Sequence, residues 1–228
     1  MNVSVLIPCF NEKNTIEKIV DRINNLKDIN LEIIIIDDNS NDGTTEILKN
    51  KIDKQVSQII YNKKNYGKGY CIKKGIESAT GDIILIQDAD LEYNPKEYYK
   101  LLEPIKNGNA DVVYGSRFIG GDERRILFFW HTIANKLLTL LSNMFTNLNL
   151  TDMETCYKVF KKDLMKKIDL KENGFGFDPE ITAKIAKQKP KIYEVGISYF
   201  GRTYEEGKKI SLKDAFIVLK CIIIYNLF

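Results

Sequence analysis

Three carboxylates, Asp88, Asp90 and Glu92, stand at alternate positions directly after the apolar run at residues 83–86. In an extended chain, side chains at i, i+2 and i+4 share one face. The spacing therefore predicts three acids pointing the same way at the end of a buried strand. Grouped carboxylates repel one another unless a cation joins them, and all-oxygen ligands suit Mg2+ or Mn2+, whose remaining positions diphosphate oxygens would fill. Polar clusters follow three other apolar runs: Pro8-Cys9-Phe10-Asn11-Glu12, then Asp37 and Asp38 with the Asn- and Ser-rich stretch to Thr44, then Asn65-Tyr66-Gly67-Lys68-Gly69. Asp37 or Asp38 can accept hydrogen bonds from a nucleobase or ribose hydroxyls. Gly67 and Gly69 permit close backbone approach, and Lys68 brings a positive charge. The glycine spacing is not that of a P-loop. Singly, each cluster is ordinary turn chemistry; together they gather at one place only if the strands before them run parallel.

The elements needed for that are legible. Residues 3–7 and 31–36 are short, almost wholly apolar runs, as expected of strands covered on both faces. Residues 56–61, 83–87 and 111–114 read as further strands. Between them, residues 12–26 show helical periodicity, with Asn11 or Asn14 as a cap. Residues 42–49, 68–79 and 95–106 also read as helices. This alternation predicts an α/β fold with a mainly parallel sheet and helices on both faces. In such sheets ligands bind outside the carboxyl ends of the strands. Beyond residue 121 the pattern changes. Residues 126–145 form a long apolar stretch interrupted by His131, Asn135 and Lys136, residues 180–187 look helical, 192–197 look like a strand, and 212–225 like a last helix. The expected organisation is one domain over residues 1–228, with 1–121 as a nucleotide-binding half and 122–228 as an extension of it.

At 228 residues, 44% hydrophobic and 29% charged, the chain is long and apolar enough to bury a core. A net charge of +3 is too weak to suggest a nucleic-acid binder. Residues 184–220, however, hold more than twice as many Lys and Arg as Asp and Glu, which suits an anionic partner, phosphate or membrane surface. Cys9, Cys71, Cys156 and Cys221 are scattered without metal-ligand spacing and no signal peptide precedes Val3. Reduced thiols and a cytoplasmic chain are expected.

Taken in order, PCFNE, DDNSNDGT, NYGKG, QDADLE and YGSRF resemble the family-2 glycosyltransferases of GT-A (Rossmann-like) fold, and more closely the dolichol-phosphate mannose synthase-like enzymes. The resemblance extends to TDMETCYKVF and GRTYEEGKK. It implies an inverting hexosyltransferase moving a sugar from a nucleotide diphosphate donor, such as GDP-mannose or UDP-glucose, to a polyprenyl or dolichyl phosphate. By the same resemblance Pro8, Phe10, Glu12, Asp37, Asp38, Lys68, Asp88 and Ala89 line the nucleotide-sugar site. Asp88, Asp90 and Glu92 form its metal stretch, with Glu92 where the family often has Gln. Arg117, Arg125, Arg202 and Lys209 handle donor and acceptor phosphates, so that Asp90, Arg117 and Arg202 carry the catalysis with Asp152 as a candidate base. Asp152 opens a segment, DMETCYK, that departs from the family's usual D-x-x-S-G-F-R.

A phosphate acceptor is already ionised near neutral pH, its second pKa being about 6, and needs cations to position it more than a base. A sugar hydroxyl needs the base. An alternative is therefore a family-2 transferase acting on a sugar hydroxyl in surface polysaccharide or lipopolysaccharide synthesis. Another is a non-catalytic nucleotide-sugar-binding subunit. A polyprenyl acceptor requires a bilayer, yet residues 215–228 fall short of the ~20 needed to span one. Residues 126–145 and 212–228 are expected to lie along the cytoplasmic membrane face as amphipathic helices, with Lys213 and Lys220 near anionic headgroups.

Overall fold

The computed structural model describes residues 1–120, 123–208 and 212–227. Seven strands form one sheet: β1 (Asn2–Cys9), β2 (Asn30–Asp37), β3 (Gln58–Tyr61), β4 (Ile83–Ile86), β5 (Val112–Ser116), β6 (Lys158–Lys161) and β7 (Ile192–Gly196). Their order is β3-β2-β1-β4-β6-β5-β7. β6 runs antiparallel to both its neighbours, and every other pairing is parallel. Among the described residues the α-helices are α1 (Ile16–Asn24), α2 (Thr44–Ile47), α3 (Lys68–Ser78), α4 (Tyr98–Lys106), α5 (Phe129–Thr146), α6 (Lys162–Met165), α7 (Phe177–Gln188) and α8 (Leu212–Leu227).

The unbroken apolar runs are the central strands. Ile83–Ile86 is buried throughout, as are Ile33 to Ile36, because helices cover both faces of a parallel sheet. α1 buries Ile16, Ile19, Val20 and Ile23, one stripe at helical spacing. Neither Asn11 nor Asn14 caps it. The helix begins after Thr15, while Asn11 adopts a left-handed conformation and accepts from the Asn41 backbone N–H at 2.9 Å, fastening two loops together. The sequence reading passed over β6. Its residues, Lys-Val-Phe-Lys, begin with a lysine that is nonetheless fully buried. β6 matters for the site: strands parallel to β1 deliver their carboxyl ends to one edge, and the reversed strand delivers its amino end there, with residues 152–157.

Candidate active site

At that edge Cys9 of β1 lies level with Asp37 of β2, and Asp37 with Tyr61 of β3. A cavity of ≈ 850 Å³ opens there, lined by residues that follow β1, β2, β3, β4, β5 and β7 and that precede β6. The three carboxylates after β4 do not form the extended ladder their spacing predicts. The strand ends at Ile86, and the chain bends so that Asp90 Oδ1 accepts from the Glu92 N–H at 3.0 Å. Each acid then pairs with a cation, Asp90 and Glu92 sharing one. Asp88 pairs with Lys68 at 2.6 Å. Arg202, on the loop after β7, donates to Asp90 at 2.8 Å and to Glu92 at 3.1 Å, and reaches Glu12 at 3.3 Å. Its backbone N–H adds a 3.0 Å bond to Glu92, whose other oxygen accepts from the Tyr199 hydroxyl at 2.8 Å.

Four acids thus face two cations, and the imbalance falls on Asp90. Burial first, then the charges of Asp88 and Glu92, push its carboxyl up to about 8 against the pull of Arg202. Burial also raises Asp88, but the Lys68 ammonium more than offsets this and holds it below the usual carboxylate range. Asp88 and Asp90 line the cavity with this excess negative charge, a donor set that fits a hard divalent cation completing its shell on phosphate oxygens. Glu92 lines the same wall, and both it and Asp90 have each carboxylate oxygen already hydrogen-bonded within the protein. Among the described residues no group of three or more His, Cys, Asp or Glu side chains is arranged to hold a metal ion by itself.

Pro8, Phe10, Glu12, Lys68 and Ala89 all line the cavity. The two aspartates after β2 are turned to structural work. Asp37 accepts from the Ser40 and Thr45 hydroxyls at 2.6 Å and is not part of the cavity wall. Asp38 reaches the wall, but its carboxylate accepts from Asn62 and from the backbone N–H groups of Tyr66 and Gly67, the last at 2.7 Å. It thereby fixes the loop that presents Lys68. Close backbone approach does occur at Gly67 and Gly69, but the approaching backbone is the protein's own. A Cβ on Gly67 would lie 2.5 Å from the Asn173 carbonyl oxygen, and one on Gly69 2.5 Å from that of Glu172.

Arg117, just past β5, forms a bidentate pair with Asp152, at 2.6 and 2.7 Å, and lies over the Tyr199 ring. Asp152 is fully buried, also accepts the Arg117 backbone N–H, and does not line the cavity. As placed, it orients Arg117. Arg125 lines the cavity while pairing with Glu206 at 2.6 Å. Lys209 lies outside the described residues, as does the side chain of Lys213; the neighbouring Lys208 lines the wall, over the Phe128 ring. The sequence reading missed Arg124, Glu154, Asp178 and Tyr199 as wall residues. One signal was present: Asp152 and Glu154 repeat the alternate-acid spacing just ahead of β6.

An apolar part of the wall belongs to α5 and the segment before it, including Ile126, Leu127, Phe128 and Phe129. His131 sits here, bonded to the Tyr204 hydroxyl at 2.9 Å. α5 and α8 pack through a small cluster in which Leu138 and Leu141 of α5 lie against Met153 and against Val218 and Ile222 of α8. Outward they leave Trp130 75%, Met144 71% and Phe216 73% exposed, and the segment before α5 leaves Ile126 80% exposed. Among the described residues no helix is long and apolar enough to cross a membrane.

Residues 4–169 match the family model described as Glycosyl transferase family 2. The chain is 30% identical over 211 residues to a dolichol-phosphate mannosyltransferase of Pyrococcus furiosus; the match takes in 91% of this chain but 59% of that protein's length, so the chain spans well under two thirds of it. It is 28% identical over 222 residues to an undecaprenyl-phosphate mannosyltransferase of Micrococcus luteus, covering 91% of this chain and 87% of that one. Among solved structures, glucosyl-3-phosphoglycerate synthase of Mycobacterium tuberculosis, in complex with Mn2+, UDP and its product, superposes with a TM-score of 0.77 at 18% identity, over 99% of this chain and 80% of that one. The last likeness establishes the fold, a GT-A sheet flanked by helices.

Proposed function

The chain belongs to glycosyl transferase family 2, and from that premise we propose that it transfers a hexose from a nucleotide diphosphate sugar to a polyprenyl phosphate at a membrane surface. The observation that carries this reading is the mixed wall of the cavity. One part of its wall is ionic, with Asp88, Asp90, Lys68, Arg117 and Arg202; another is apolar and continuous with the exposed face of α5 and α8. A ligand with a charged head and a hydrocarbon tail matches both parts. The names of the two relatives, which both carry a polyprenyl-phosphate mannosyltransferase description, support the same acceptor class.

In this reading residues 1–121 hold the donor, with Pro8, Phe10, Glu12 and Ala89 around the nucleotide and Lys68 near its diphosphate. Mg2+ or Mn2+, held by Asp88 and Asp90, supplies Lewis-acid neutralisation of the leaving diphosphate; the solved relative with UDP and Mn2+ supports that pairing. Arg202 sits where donor charge would develop. Arg117, oriented by Asp152 and stacked on Tyr199, can fix an acceptor phosphate in line for attack, because a planar guanidinium holds phosphate in a defined geometry. Arg124, Arg125 and Lys208 add basic side chains to the same wall. The hydroxyl-acceptor alternative calls for a free base, and Asp152 is committed to Arg117. Residues 212–228 and the outer face of α5 rest on the cytoplasmic membrane surface.

The test is transfer of radiolabelled sugar from GDP-mannose and UDP-glucose, with Mg2+ or Mn2+, to a short polyprenyl phosphate. Metal-dependent label in the lipid phase, lost in Asp90→Ala, is the expected result. Donor hydrolysis with no lipid product would reject the acceptor.

A further inference from the structure

Apart from the acids paired with Lys68 and Arg202, the cavity holds one carboxyl that the fold leaves unanswered. Glu154, ahead of β6, lines the wall, and its Oε1 is out of solvent with no hydrogen-bond partner. Such an atom costs about 1–3 kcal/mol, so a fold retains it readily where a ligand is to satisfy it. Its surroundings narrow the ligand. Asp178, in the first turn of α7, lines the same wall and is held by Lys158 Nζ, which also donates to the Thr155 carbonyl. Lys158 is fully buried and spent on protein groups, so it is not itself available to a ligand phosphate. Phe175 adds an aromatic side chain to this wall, and Cys156, two residues on from Glu154, adjoins Asp88. A carboxyl for hydroxyl groups, with a ring to cover sugar C–H surface, close to the site's diphosphate end, suits a neutral hexose. Burial first, then the charge of Asp178, push the Glu154 carboxyl up to about 8. Near neutral pH it mostly keeps its proton and can donate to a hydroxyl as well as accept from one.

We infer that Glu154 is a specificity-determining residue that hydrogen-bonds a ring hydroxyl of the transferred hexose, in a sugar pocket shared with Asp178 and Phe175. This rests on the reading that a nucleotide sugar enters the cavity. It assigns Glu154 to the donor sugar and leaves acceptor activation to the arginines.

The test is calorimetric titration of the full chain, its Glu154→Ala and its Glu154→Gln variants with GDP, UDP, GDP-mannose and UDP-glucose in the presence of Mg2+. Thermal melting first checks that each variant is folded. For whichever nucleotide binds, Glu154→Ala is expected to weaken the nucleotide sugar on the order of 10- to 100-fold while leaving the bare nucleoside diphosphate unchanged. Glu154→Gln, which keeps size and hydrogen bonding, recovers most of the loss. Equal weakening of sugar and nucleotide would overturn the inference in favour of a merely structural role. Unchanged binding with slowed transfer would overturn it in favour of proton transfer to an acceptor hydroxyl. Wild-type protein that binds none of the four ligands would sink the donor reading and this inference together; wild-type binding that Glu154→Ala leaves intact sinks this inference alone.

Discussion

Arg202→Met removes the one side chain that ties together three elements of the site. Arg202 joins Glu12 after β1 to Asp90 and Glu92 after β4, at 3.3, 2.8 and 3.1 Å, and the three acids are only 7%, 12% and 13% exposed. Taking one partner out of a buried ion pair costs about 3–5 kcal/mol, because the remaining charge stays buried and uncompensated. The lower end applies here. Asp90, already at about 8, relieves much of the strain by holding a proton. A loss of ~3 kcal/mol in a chain of this size lowers the melting temperature by roughly 6–12 °C. The loss is one of charge, so a divalent cation supplied to the same acids offsets it. The assay is thermal melting of both proteins at pH 7.5, once with EDTA and once with millimolar Mn2+. The expected pattern is a gap of that size in EDTA, narrowed by at least half in Mn2+. A variant melting with the wild type in EDTA would show that Arg202 does not hold the acids together. A gap indifferent to Mn2+ would assign the loss to packing, and the electrostatic account of the site would fall.

Three further outcomes are expected. Gly67→Ala, at φ +102° and with its new Cβ 2.5 Å from the Asn173 carbonyl, should lose about 2–3 kcal/mol in urea unfolding, from left-handed strain plus collision; a loss below 1 kcal/mol would mean that the 172–174 backbone yields easily. Glu154 keeps its proton to about 8 when folded but loses it near 4.5 when unfolded. The folded state therefore holds the extra proton, and Glu154 by itself makes stability fall with rising pH between those values by up to about 1.4 kcal/mol per unit, beside a like share from Asp90. Glu154→Gln, compared by urea titration at pH 5, 6.5 and 8, should flatten that slope, and parallel curves would refute it. The double variant Trp130→Asp, Phe216→Asp alters side chains 75% and 73% exposed, so its stability should stay within about 0.5 kcal/mol while co-sedimentation with anionic vesicles drops; retained sedimentation would remove the membrane from the reading.

What the sequence displays and what it conceals divide along a physical line. Runs such as residues 33–36 and 83–86 announce buried strands because hydrophobic burial is a property of each residue in turn. Acids at the ends of such runs announce a site because parallel strands must bring those ends to one edge. Pairings across the fold leave no such trace. Nothing near Asp90 tells that Arg202, 112 positions on, will lie between it and Glu12, or that Asp152 will take both guanidinium arms of Arg117. β6 was hidden for the same reason. Lys158 reads as surface until Asp178 is known to meet it, and only then does a strand with a buried lysine become sensible. The glycines of the third cluster show how a correct local rule can name the wrong neighbour. Gly67 and Gly69 are required by close approach, but of residues 172–174, which tie α3 to the segment before α7. That contact joins the Lys68 side of the cavity to Glu172, Phe175 and Asp178. The glycines set the distance between Lys68 and the wall that carries Asp178, so a substitution there would alter the cavity without touching any group that lines the proposed sugar pocket.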